Sequence, residues 1–111
     1  MYDDRIRAEF EAELASAKKS QAEGLDGRAR VSARRAVAIL FREYFNSHQI
    51  QMPSTNAYEL IKEFKDLPNI SQDIIRVADH FLVKVNEDFQ LPNGIDLIEE
   101  ARWLFDRLDN L

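Results

Sequence analysis

Apolar residues recur at spacings of three and four along most of this chain, the mark of helices with one buried face. Runs rich in Val, Ile and Thr with a period of two are missing, so no strand is expected. Tyr2, Ile6, Phe10, Leu14 and Ala17 predict a first helix over about residues 2–23. Gly24 is a suitable stop, because glycine enters the left-handed conformation without a Cβ clash. Asp26 is a candidate cap for the next helix, able to accept its orphan N–H bonds. That second helix, over about 27–47, carries a broad apolar arc of Val31, Ala33, Val37, Ala38, Leu40, Phe41, Tyr44 and Phe45. The link is short, so the first two helices should form an antiparallel hairpin.

The polar stretch NSHQIQMPST follows. Asn56 with Glu59 three residues on resembles a capping box for a short third helix over about 57–66, with Leu60, Ile61, Phe64 and Leu67 inward. Pro68 and Asn69 break it. Ser71 is a candidate cap for a fourth helix over about 72–89, with Ile74, Ala78, Phe81, Val85 and Phe89 as its stripe. Leu91-Pro92-Asn93-Gly94 is a turn. Asn93 with Asp96 starts a fifth helix over about 94–109, with Leu97, Ile98, Ala101, Leu104, Phe105 and Leu108 inward. The fold class implied is all-α: an up-and-down bundle of four long helices, the short one filling the long connection. No repeat or linker divides residues 1–111, so a single domain is expected.

Composition narrows the function classes. The 111 residues contain no Cys, which excludes a disulfide framework, a thiolate metal site and a cysteine nucleophile. No apolar stretch is long enough to span a membrane. The opening MYDDRIRAEFEAEL is charged throughout and shows no signal-peptide pattern, so a cytoplasmic location is the default. A net charge of −5 argues against general nucleic-acid binding, which needs clustered cations. That charge is unevenly placed. Residues 27–42 hold Arg28, Arg30, Arg34, Arg35 and Arg42 and no acid, while residues 86–111 hold seven acids and two bases. The two regions are expected to pair, either within the fold or across a dimer.

The residues that break the helical pattern carry the candidate chemistry. Arg28, Arg35 and Arg42 recur every seven positions and so line one solvent-facing stripe. Arg30 and Arg34 fall inside the apolar arc, where a guanidinium must be paired. A buried ion pair is the leading expectation, with Asp88 the preferred partner of Arg34 and Glu99 or Asp96 the others. A small-anion or nucleotide site at Arg30 and Arg34 is the alternative. On the fourth helix Arg76 and His80 share a face pointing away from the apolar stripe, with Val83 exposed beside them. Trp103 lies opposite the inward side of the fifth helix. An exposed Trp beside Glu99 and Glu100 suggests a contact surface, a homodimer interface above all, unless the N-terminal segment or the 48–56 connection covers it. Tyr58 falls off the third helix's apolar side and could join such a patch. His48 follows the last turn of the second helix, where a protonated imidazole suits the negative end of the dipole.

No phosphate-binding glycine loop exists, and the two His are far apart with no metal-ligand spacing around them. No Ser has a credible His and Asp setting. No cofactor and no metal are therefore expected.

The run GRARVSARRAVAILFREYF, following a long first helix and a short turn, resembles the second helix of HEPN-type bundles. It is also similar to a group of small uncharacterised bacterial proteins. In those, as here with Asn56-Ala57-Tyr58-Glu59-Leu60 and Asp88-Phe89-Gln90-Leu91-Pro92, a short helix start and a late Leu-Pro turn follow. The resemblance implies a helical bundle that often dimerises. Many HEPN proteins are ribonucleases of toxin–antitoxin or defence systems, using an Arg and a His separated by four to six residues at the dimer interface. Arg76 and His80 have three residues between them, a departure that weighs against nuclease activity. Other HEPN-like domains have lost the motif and serve as partner-binding or nucleotide-binding accessory modules. The expected function is therefore a non-enzymatic interaction module, a homodimer that binds a protein partner. Contacts would come from the Arg28/Arg35/Arg42 stripe, the Arg76/Val83 face and Trp103. The alternative is a metal-independent endoribonuclease with Arg76 and His80 as its working pair, the one case in which RNA would be a partner.

Overall fold

The computed structural model describes residues 1–51, 56–83 and 95–110. Among them are five helices and no strand: α1 Asp4–Ala22, α2 Asp26–Ser47, α3 Ala57–Lys65, α4 Gln72–His80 and α5 Leu97–Asp109.

Local chemistry sets most of the boundaries. The Asp3 carboxylate accepts the Ile6 N–H at 2.8 Å and caps α1. At the other end Gly24 sits at φ +76°. The Gly24 N–H donates to Gln21 O at 3.0 Å and the Leu25 N–H to Ser20 O at 2.8 Å, the paired bonds of a Schellman motif. Because Leu25 closes that motif, the chain enters α2 at once. Asp26 is therefore the first helical residue and not the cap, its carboxylate placed in the positive first turn. A second Schellman motif ends α2, with Gln49 at φ +56° where α1 has glycine. Its bonds run from Gln49 N–H to Asn46 O (3.2 Å) and from Ile50 N–H to Phe45 O (2.9 Å). Asn56 caps α3 by accepting the Glu59 N–H at 3.1 Å, as expected.

Two boundaries differ from expectation. At α4 the Ser71 hydroxyl does not cap the helix. It donates to the Asp73 carboxylate, which itself takes the Ile74 N–H at 2.8 Å. The fourth helix also stops at His80, about half the length predicted, with Phe81 and Leu82 in a turn. Apolar spacing beyond Phe81 matched a continuing helix, but periodicity alone does not register where a chain leaves its axis. Val85 and Phe89 lie outside the described residues. At α5 the cap is Asp96, which accepts from Ile98 N–H (3.0 Å) and Glu99 N–H (3.2 Å), so the helix begins at Leu97 rather than 94.

One core cluster draws residues from all five helices. It centres on α2, which packs against α1, α3 and α5. Phe41 and Phe64 stack with centroids 3.8 Å apart, and Tyr44 meets Phe64 edge-on, fixing α3 on α2. Phe10, Tyr2 and Phe105 form a second aromatic group that joins α1 to α5. The Tyr2 hydroxyl donates to Phe105 O at 3.0 Å, and the terminal amine reaches Asp109 at 3.2 Å. Burial, together with the Asp109 carboxylate, pushes the Tyr2 phenol well above its ordinary value. Arg102 grips Glu11 through two bonds of 2.5 and 2.8 Å, adding a tie between the same helices. Val31, expected inside the α2 arc, is 41% exposed. The buried arc takes in Ala29, Ser32 and Ala36, with Ser32 meeting Ser16 of α1, and this leaves Val31 off its edge.

Candidate interaction surface

The antiparallel pairing of α1 and α2 leaves an open furrow along the side of both helices turned away from the core. Its upper part, of about 540 Å³, is lined only by α1, α2 and their link: Ser16, Ser20 and Glu23 on one side, Arg28, Val31 and Arg35 on the other. Its lower part, of about 550 Å³, continues past Arg35 to Glu9, Ala12 and Glu13 against Ala38 and Arg42, and ends at Ala57 of α3. The floor is narrow because the residues there are small. Ser16 and Ser32 meet oxygen to oxygen at 3.3 Å across it.

The rims are charged and of opposite character. On α2 the rim is Arg28, Arg35 and Arg42, the seven-residue stripe expected from the sequence. On α1 it is Glu9, Glu13 and Glu23, with Lys19 among them. None of the three arginines lies within ion-pair distance of a carboxylate among the described residues. Glu9 is tied along its own helix to Arg5 at 3.1 Å. Glu13 and Glu23 have no ion pair among the described residues. The sequence reading missed the acidic rim, although its signal was present: Glu9, Ser16 and Glu23 are also seven apart, outside the apolar stripe of α1.

Arg34 is half-buried, and among the described residues its partners are a carbonyl and an aromatic ring. Its Nε donates to the Phe81 carbonyl at 2.9 Å, and its guanidinium lies 5.6 Å from the centre of the Tyr58 ring. Phe81 closes α4, so its carbonyl has no partner within the helix, and Arg34 supplies one. Burial and the neighbouring Arg30 hold the Arg34 pKa below the ordinary guanidinium value. Of the acids proposed for it, Asp96 caps α5, Glu99 is exposed with no ion pair among the described residues, and Asp88 lies outside them. Tyr58 is thereby accounted for: its ring packs with the cations of Arg34 and Lys62 rather than joining Trp103. Helix α3 makes no contact with α5 among the described residues.

His80 is not on an outer face. Its Nδ1 donates to the Glu100 carboxylate at 2.6 and 2.8 Å, bonding α4 to α5, while Arg76 stays exposed. Val83 is half-buried and lies beyond the end of α4, so it shares no helix face with Arg76. The difference follows from the position of α5, which a wheel drawn for one helix cannot include. Trp103 is 37% exposed on α5, as expected, and the N-terminal segment covers Phe105 instead. His48 sits at the end of α2 with Nδ1 bonded to Tyr44 O at 3.0 Å and its ring stacked on Tyr44. Among the described residues no group of three or more His, Asp or Glu is placed to hold a metal ion, and no helix is long and apolar enough to cross a membrane.

No family model, no curated protein and no solved structure matches the chain.

Proposed function

We propose that this chain is a non-enzymatic helical interaction module, a cytoplasmic homodimer on a HEPN-like up-and-down bundle that also docks a protein partner. The observation that carries the reading is the basic α2. Its five arginines form no ion pair with any described residue, although the last helix is rich in acids. Two of those acids are engaged elsewhere: Asp109 holds the amino terminus and Arg7, and Glu100 holds His80. Three of the arginines stand in line over an open furrow, a geometry suited to an acidic helix laid along it. Mass measured in solution across a concentration and salt series tests this. A dimer that weakens as salt screens the rims is expected. Protein that stays monomeric at millimolar concentration in low salt would overturn it.

One observation favours the competing endoribonuclease reading. The carboxylate of Glu100 fixes the His80 imidazole, as acids orient catalytic histidines. Metal-independent RNA cleavage that vanishes in His80→Ala would establish that reading. No cleavage by either protein is expected.

A further inference from the structure

We infer that the furrow between α1 and α2 is filled by the same furrow of a second copy of this chain, about a two-fold axis parallel to the two helices. This rests on the interaction-module reading and names its partner and contact. The argument is charge registration. Because α1 and α2 run antiparallel with Ser16 opposite Ser32, Glu13 stands level with Arg35, Glu9 lies within about a turn of Arg42 in the lower furrow, and Glu23 and Lys19 both lie within about a turn of Arg28 in the upper one.

Rotation by 180° about an axis along the helices keeps each residue at its own height but carries α1 over to face α2 of the first copy. Glu13 of each copy then meets Arg35 of the other, and Glu9 meets the Arg42 end of the facing rim, while in the upper furrow Glu23 shares its rim with Lys19. A two-fold axis across the helices would instead place α1 on α1 and α2 on α2, which stacks arginine against arginine. Only the first arrangement is isologous and electrostatically self-complementary. The small floor residues Ala12, Ser16 and Ser32 let the facing helices approach closely, as in a four-helix interface.

The size fits a reversible dimer. The 19 residues of α1 give a face about 28 Å long, and two helices side by side are about 20 Å wide. That is about 550 Å² per copy, at the small end of specific interfaces and consistent with micromolar association.

The experiment uses the exposed Arg35 and the half-buried rim residue Glu13, and folding of every variant is checked by circular dichroism. Sedimentation velocity is run on wild type, on Arg35→Glu, on Glu13→Arg, on the double variant and on a mixture of the two single variants. Each single variant should dissociate about tenfold more readily, or more, because like charges then meet at two symmetric contacts. The double variant should dimerise again. The mixture should form a heterodimer, since the copy with Arg35→Glu is acidic on both rims at that level and the copy with Glu13→Arg is basic on both. A wild-type dimer indifferent to both single substitutions would overturn this contact while leaving the interaction module standing. A monomeric wild type would overturn both this contact and the homodimeric module.

Discussion

Substitution of Arg34 by methionine tests how the fold manages a charge in its apolar arc. Methionine keeps most of the aliphatic stem and removes the guanidinium. The Phe81 carbonyl at the end of α4 then loses its 2.9 Å donor. A hydrogen bond from a charged donor contributes about 1.5–3 kcal/mol, and the cation over Tyr58 adds about 0.5–1 kcal/mol. Relief of the desolvation that lowers the Arg34 pKa offsets part of this. A loss of about 2 kcal/mol is expected, large against the 5–15 kcal/mol typical of a domain. The assay is urea unfolding at pH 7 and again at pH 4. The carbonyl does not titrate, so the loss should be the same at both. A buried carboxylate partner such as Asp88 would behave differently. Removing the arginine would strand a charge at pH 7, costing about 3–5 kcal/mol, and protonation would relieve much of that cost in acid. A loss that shrinks sharply at pH 4, or one below about 0.5 kcal/mol at pH 7, would refute the carbonyl account.

Phe41→Ala should cost about 3–5 kcal/mol in the same unfolding assay, because Phe41 is fully buried and stacked on Phe64. Gln49→Gly should stabilise by about 0.5–1 kcal/mol, read as a higher melting temperature. Gln49 holds φ +56°, where a side chain costs about 1–2 kcal/mol and glycine gives back less in unfolded-chain entropy. Acid should destabilise through Asp73, whose carboxyl the Ser71 hydroxyl, the Ile74 N–H and Arg107 hold below its ordinary value. A carboxyl lowered in the folded state supports the fold above its unfolded pKa of about 3.9, and that support is lost as pH falls through the folded value. Asp73→Asn should therefore flatten the acid limb of the stability–pH curve below about pH 4, and an unchanged limb would count against the assignment.

Much of this fold could be read from local pattern. Helices α1, α2 and α3 lie within a residue or two of the positions predicted, because Gly24 ends α1 and sets the entry to α2, and Asn56 caps the start of α3. The Arg28/Arg35/Arg42 stripe was legible too, since a period of seven on one helix needs no knowledge of neighbours. Trp103 is exposed for the same reason. What local pattern could not supply is which surface faces which. His80 reads as solvent-facing on a wheel of its own helix, and only α5, twenty residues later, turns it inward onto Glu100. Arg34 reads as needing a partner, and only the end of α4 brings the Phe81 carbonyl to it.

The amino-acid sequence by itself determined the helices, their apolar faces and the arginine stripe along α2. Periodicity, capping and backbone preference act over a few residues, so they are written in consecutive letters. The tertiary structure decided the partners: the carbonyl under Arg34, the glutamate on His80, and the acidic rim that stands across a furrow from three arginines with no ion pair among the described residues. Those depend on how helices distant in the chain are set against one another. That setting is fixed by the packing of Phe10, Phe41, Phe64 and Phe105 and not by any local preference.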